Sequence, residues 1–331
     1  MNDRAVNILD NYELQILRTW KGRGAILCET DQGIRILKEY TGSKEKLILE
    51  QILLQRIREN GFSHIEEILS DKEGKPYYSD DERTTYFVKS YFEGRECNIK
   101  DQQECRIAVR TLANLHRAMI CPDLAAQMNL NCLPIQYEFE KRNKELHRVR
   151  KFLKEKSQKT EFELFLQKNY DYFYEKAIQT TEELSKYPLQ KWLEDLHEEG
   201  SFCHGDFQYH NLLFSGDGTV SVINFEKATL DSPVRDLYLF MRKLLEKNSW
   251  NSTLGAELLE EYEKERMLTV NDRIQLLYRF LYPEKFWKIV NFYYNSTKSW
   301  IPLRYKEKLE KIIEQEDNRE YFIEQVLQNI R

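Results

Sequence analysis

The residues best suited to chemistry lie in one short stretch, His204-Gly205-Asp206-Phe207-Gln208-Tyr209-His210-Asn211. An Asp five residues ahead of an Asn, with a His two residues before it, suits phosphoryl transfer to a hydroxyl. The Asp206 carboxylate can accept the proton of an attacking hydroxyl, the task of a base within hydrogen-bond reach. The side-chain carbonyl of Asn211, a short loop away, can hold a Mg²⁺ ion that neutralises phosphate charge. His204 suits a structural task, bonding backbone groups to fix the loop. A second metal residue belongs where the return strand Val220–Ile223 of the following hairpin ends. The residue there is Asn224, followed by Phe225 and Glu226. Mg²⁺ is a hard cation that prefers carboxylate. An amide keeps an oxygen but loses a full charge, so Asn224 weakens the expected metal site. Glu226 is a substitute ligand if the backbone turns both side chains inward.

A nucleotide needs a phosphate-covering loop and a cation, and the first forty residues offer both. Trp20-Lys-Gly22-Arg-Gly24 places two glycines ahead of the strand Ile34–Lys38, and Lys38 is placed to reach the α- and β-phosphates. Glu50 is the best partner for Lys38, with Glu45 the alternative.

These residues need elements to carry them. Ala25–Thr30 and Ile34–Glu39 flank the turn Asp31-Gln32-Gly33 and read as a hairpin. Ser43–Asn60 carries Leu47, Ile48, Ile52, Leu53 and Ile57 at helical spacing and stops before Gly61. Phe62–Leu69, Pro76–Ser79 and Thr84–Tyr91 read as strands, so the expected order is two strands, a helix and three strands. From Asp101 the pattern becomes helical: Asp101–Met119, then Gln136–Glu155 and Glu161–Lys186. The island Ser201–Ala228 is strand and turn, with Ser215–Gly218 reversing the chain, and the rest is helical from Asp236 with Trp250, Trp287 and Trp300 in its core. The expected fold class is α+β. Residues 1–94 would form a small antiparallel sheet with one helix. Residues 95–331 would form a larger, mostly helical part, with the catalytic-loop island at 201–228 and a helical insertion at 136–186.

A length of 331 residues suggests two structural units at about 150 residues each. With 41% hydrophobic and 13% aromatic residues, a disordered chain is excluded. The formal net charge of −5 gives no general grip on nucleic acid. The segment Lys141–Lys159, with nine Lys and Arg against two Glu, reads as a solvated helix face, or else a docking surface for an anionic partner. It lacks the aromatic interleaving of a nucleic-acid platform. None of the six cysteines forms a C-x-x-C pair, so reduced thiols are expected. No run of 18 apolar residues is present, so no membrane span is expected, and the protein is expected to be soluble and made in the cytoplasm.

Taken together, Lys38, Leu112-Ala-Asn-Leu-His116, His204–Asn211, Asn224–Ala228 and Asp231-Ser-Pro-Val-Arg-Asp236 resemble the aminoglycoside phosphotransferase/choline kinase family, which has the protein-kinase-like bilobal fold. A closer resemblance is to the CotS family of spore coat proteins. It rests on Gly94-Arg95-Glu96, the catalytic loop, and the C-terminal Tyr282-Pro-Glu-Lys-Phe-Trp287 and Tyr293-Tyr-Asn-Ser-Thr-Lys-Ser-Trp300. The resemblance implies ATP and Mg²⁺ as cofactors, with Gly22, Gly24, Lys38 and Glu50 at the phosphates. The hinge Lys89–Phe92, including Tyr91, would meet adenine through backbone groups. Asp206 would be the catalytic base, Asn211 and Asn224 the metal positions, and Asp236 a buried brace for the loop carrying His204. It further implies a hydroxyl-bearing small molecule or sugar as acceptor, and other spore coat proteins as partners after assembly into the coat. Asn at 224 leaves two readings: an ATP-dependent phosphotransferase, or a kinase-fold coat component with weak or no catalysis.

Overall fold

The first structural layer is a sheet whose two faces do different work. In the computed structural model, which describes residues 7–22, 24–128, 133–295 and 302–328, five strands pair in the order β1-β2-β3-β5-β4. They are β1 (Ile16–Gly22), β2 (Ala25–Thr30), β3 (Gly33–Tyr40), β4 (Tyr78–Ser79) and β5 (Thr85–Ser90), all antiparallel. Alternation sends Cys28, Leu37, Tyr86 and Val88 to one face, where they pack on Ile8, Leu9 and Tyr12. The opposite face carries polar chemistry. Lys38 sits opposite Phe87, and Ile36 opposite Lys89, so the two lysines share that face.

The hairpin is where the sequence predicts it, and one strand was not foreseen. The pairing of β1 with β2 shifts between Ile16 and Arg18. That irregularity scrambles the two-residue alternation, and Leu17 is left 56% exposed. The order is therefore three strands, a helix, then two strands. Phe62–Leu69 does not form the expected strand because it changes partner. Ile65 bridges Val222 and Ile68 bridges Lys89, so no single ladder continues. Helix α1 (Lys44–Glu59) starts where Ser43 Oγ accepts the Lys46 N–H at 3.3 Å and ends before Gly61 at φ +92°.

Helix α2 (Gln102–Ala118) begins at Asp101, whose carboxylate accepts the N–H groups of Gln103 and Glu104. A three-stranded sheet follows the order β6 (Arg95–Glu96), β8 (Leu212–Phe214), β9 (Val220–Val222), with β7 (Phe202–Cys203) leading into the catalytic-type loop. Everything named so far falls in one compact unit, 1–124 with 200–229; the other is 125–199 with 230–331. The strand-to-helix change near residue 94 thus lies inside the first unit.

The second unit is helical: α3 (Ile135–Glu155), α4 (Glu161–Leu184), α5 (Leu189–Glu199), α6 (Val234–Lys247), α7 (Ser252–Glu263), α8 (Val270–Leu281), α9 (Glu284–Asn295), α10 (Pro302–Glu314) and α11 (Glu316–Phe322). Its core stacks Phe139 on Tyr282 at 4.0 Å and Phe173 on Phe286 at 4.7 Å. Trp250 is buried against Phe280 and Phe322, while Trp287 is partly buried and donates to Glu145 at 2.7 Å. Trp300 lies outside the described residues. The basic segment 141–159 is paired through Arg142–Glu138, Arg150–Asp171 and Lys156–Glu163. Cys28, Cys97, Cys105, Cys121 and Cys203 are buried free thiols; Cys132 lies outside the described residues. Among the described residues no helix is long and apolar enough to cross a membrane.

Candidate functional site

The loop after β7 is braced from inside. His204 is fully buried; its Nε2 lies 3.1 Å from the Ile223 carbonyl, and its Nδ1 accepts the Asp206 N–H at 3.2 Å. That pattern fits the neutral ring with the proton on Nε2. Asn211 is buried and donates Nδ2 to the Asp206 carbonyl at 2.8 Å, closing the loop from its far end. Gly205 makes the seat: its φ is +76°, and a Cβ there would meet the Lys227 carbonyl oxygen at 2.1 Å. The backbone of Lys227 therefore lies directly on the loop, and its ammonium reaches Asp206 Oδ2 at 2.8 Å. Gln208 Nε2 donates to the other carboxylate oxygen. The Asp206 side chain stays 20% exposed, so it can still be reached from solvent.

Asn224 follows β9 in the left-handed region, at φ +68°. Asn is among the few residues other than Gly that adopt this conformation readily. The turn directs its amide between two neighbours. Nδ2 donates to Asn211 Oδ1 at 2.9 Å, and Oδ1 accepts from Lys89 Nζ at 3.0 Å. Lys89 is buried and also donates to Glu66 Oε2 at 2.7 Å, with Glu226 Oε1 at 3.7 Å. The other oxygen of Glu66 accepts the Phe225 N–H at 2.9 Å. Glu66 reaches this point because His64 accepts the Val222 N–H on one side, while Glu67 and Ser90 exchange bonds on the other.

One expectation is corrected here. Lys38 pairs with Glu226 at 2.8 Å rather than with Glu50 or Glu45. Glu226 is close in sequence to the metal position and already held by both lysines, whereas Glu50 is buried on α1 with Oε2 lacking any hydrogen-bond partner. Lys89, whose backbone was expected at the hinge, also commits its side chain to the charge cluster. The signal for this was its place two residues from Phe87, on the face Lys38 shares. Glu66 and Lys227 were given no role from the sequence: Glu66 lies in no recognisable motif, and Lys227, within Asn224–Ala228, meets Asp206 only through the fold.

The electrostatics follow from this packing. Burial pushes the Glu50 carboxyl up to about 8, and the charges of Glu66 and Glu226 add to that push. Burial also acts to raise Glu226, but Lys89 and then Lys38 outweigh it and hold that carboxyl at about 2. Burial opposes the charge on Lys89, yet Glu66 and Glu226 keep its pKa above the usual lysine value. Near neutral pH, Glu50 is thus largely protonated, and the two lysines face the two carboxylates of Glu66 and Glu226.

Gly22 ends β1 and Gly24 has φ +69°, with open space where a side chain would be. Tyr91 follows β5 and is 38% exposed. Asp236 is fully buried in the first turn of α6, in the second unit.

The residues present do not fit a divalent cation. Both amide oxygens expected to ligate it already accept from donors, and an ammonium stands 3.0 Å from one of them. Among the described residues, no group of three or more His, Cys, Asp or Glu could hold a metal. Lys38, 39% exposed beside the loop, does suit a phosphate.

Solved structures of this fold come from phosphotransferases. An aminoglycoside phosphotransferase from Alicyclobacillus acidocaldarius aligns with a TM-score of 0.84 at 18% identity, over 98% of this chain and 96% of that one. Spectinomycin phosphotransferase APH(9)-Ia, in complex with ADP and spectinomycin, aligns at 0.66 and 14%, over 98% of each chain. Choline kinase from Cryptosporidium parvum aligns at 0.56 and 14%, over 98% and 97%. At these identities the likeness shows a shared fold, the aminoglycoside phosphotransferase/choline kinase-like one. The sequence itself goes further. Residues 5–326 match the family model described as "Spore coat putative kinase YutH", so the chain belongs to that spore coat kinase-like family.

Proposed function

We propose that this kinase-like protein binds a nucleoside triphosphate in its first unit and turns it over slowly or not at all, serving as a component of the spore coat. One observation carries the reading: the Asn224 amide is tied to the Lys89 ammonium and to Asn211, while the loop around Asp206 keeps its full bracing. Lys38 would contact the phosphates after giving up Glu226, the Gly22–Gly24 turn would cover them, and backbone groups at Tyr91 would meet the base. Phosphoryl transfer gains most from charge stabilisation, and the position that should supply it carries no free ligand. The test is a thermal-shift screen with ATP, GTP and ADP, each with and without Mg²⁺. Stabilisation by nucleotide in either condition supports the reading; no shift with any nucleotide ends it.

A second reading is favoured by the partly exposed Asp206 carboxylate. In that reading the protein phosphorylates a hydroxyl of a small molecule or sugar. Asp206 takes the hydroxyl proton as that oxygen bonds to the γ-phosphorus, and the nucleoside diphosphate leaves with the electron pair of the broken bond. Lys227 must release Asp206 first. Product formation that is abolished by Asp206→Ala would establish it.

A further inference from the structure

Resting on the nucleotide-binding reading, we infer that Lys89 is a built-in counter-ion that replaces the divalent cation, so that the site excludes metal and holds nucleotide without it. Lys89 donates to Asn224, Asn224 donates to Asn211, and Asn211 donates to the Asp206 carbonyl. Each link fixes the next. If the Asn224 amide turned over, its NH₂ would face an ammonium and its oxygen would face the oxygen of Asn211. The oxygen is therefore held toward Lys89 and away from any ion. Asn suits this chain of bonds, because an amide accepts from Lys89 and donates to Asn211 at once, which a carboxylate cannot do. An Asp at this position would leave Asn211 Oδ1 without its donor.

Charge gives the second argument. The Lys89 ammonium lies 2.7 Å from Glu66 and 3.7 Å from Glu226, and Lys38 takes the near oxygen of Glu226 at 2.8 Å. Two lysines thus satisfy two carboxylates within one cluster. A dication entering it would meet a fixed positive charge at close range, in surroundings where water screens poorly. The positive charge is always present, attached to the sheet by β5, and no chelator can remove it. Lys89 acts by positioning and neutralising. Its side chain is 5% exposed and is not expected to touch phosphate.

The experiment titrates Mn²⁺, followed by electron paramagnetic resonance, into the full chain without nucleotide. Wild type is compared with Asn224→Asp and with the triple variant Glu66→Gln/Lys89→Met/Asn224→Asp. Gln at 66 keeps an oxygen for the Phe225 N–H, and losing Glu66 and Lys89 together removes that buried pair whole rather than stranding one partner. Wild type and Asn224→Asp should bind Mn²⁺ only weakly and alike, because Lys89 captures the new carboxylate. The triple variant should bind at least about tenfold more tightly, as affinity follows uncompensated ligand charge. Wild-type binding as tight as the triple, or a folded triple no better than wild type, would overturn the inference. Should the triple not fold, Asn224→Asp against wild type decides: equality upholds the claim and a tenfold gain refutes it. A parallel nucleotide titration separates the two ideas, because a chain that binds no nucleotide ends the functional reading and leaves the Mn²⁺ comparison intact.

Discussion

The loop around Asp206 and the cluster around Asn224 are neighbours in sequence and are built on opposite principles. The loop is held by neutral bonds from His204 and Asn211, and it leaves one carboxylate partly in solvent with an exposed lysine on it. The cluster buries Lys89 and Glu66 and closes them on the more accessible Glu226 and Lys38. Positioning and charge neutralisation are separate parts of phosphoryl transfer. On the proposed function, the loop would serve the first, and the cluster's own lysines would stand where the second needs a cation.

The strongest way to break that comparison is at Asp206. In any phosphotransfer assay, Asp206→Ala should lower turnover by about 10²–10⁴-fold. Its melting curve should stay near wild type, since its ion-pair partner Lys227 is 66% exposed. A large loss of stability would mean that the loop leans on this carboxylate and is not braced independently.

The cluster is probed next through Glu50, whose pKa of about 8 lies above the unfolded value. The native state holds a proton that the unfolded chain has released, so stability should fall as pH rises from about 4.3 through 8. The expected loss is on the order of 5 kcal/mol. Glu50→Gln should flatten that dependence and be the more stable form at pH 8, read from urea unfolding across pH. A flat wild-type profile would mean that Glu50 is solvated or paired.

Lys38 belongs to both regions in function and sharpens their boundary. A charge-assisted bond to phosphate contributes about 1.5–3 kcal/mol, so Lys38→Ala should weaken ATP binding by roughly 10–150-fold. Unchanged affinity in a folded variant would remove Lys38 from the site. The smallest effect is expected at Lys227, which is 66% exposed. Lys227→Ala should change stability by less than about 1 kcal/mol. A larger change would place part of the loop's bracing in that ion pair.

Legibility in the sequence followed locality. The β2–β3 hairpin, α1, α2 and the strand–turn–strand after Asn211 announce themselves through alternation, caps and glycines close in the chain. Strand β1 hid behind its pairing shift, and Phe62–Leu69 read as a strand because its apolar residues serve two partners in turn. At the site, Asp206, Asn211 and Asn224 were visible because a short loop and hairpin bring them together. Glu66 was invisible: it joins Lys89 across 23 residues and Phe225 across 159. The pairing of Lys38 with Glu226, 188 residues away, was hidden for the same reason.

The central claim is that nucleotide binding here does not need a divalent ion. Calorimetry of ATP binding to the wild-type chain, once in EDTA and once in excess Mg²⁺, measures it directly. The account predicts dissociation constants that agree within about threefold, less than 1 kcal/mol apart. Binding that appears only with Mg²⁺, or tightens by more than about tenfold on its addition, would contradict it.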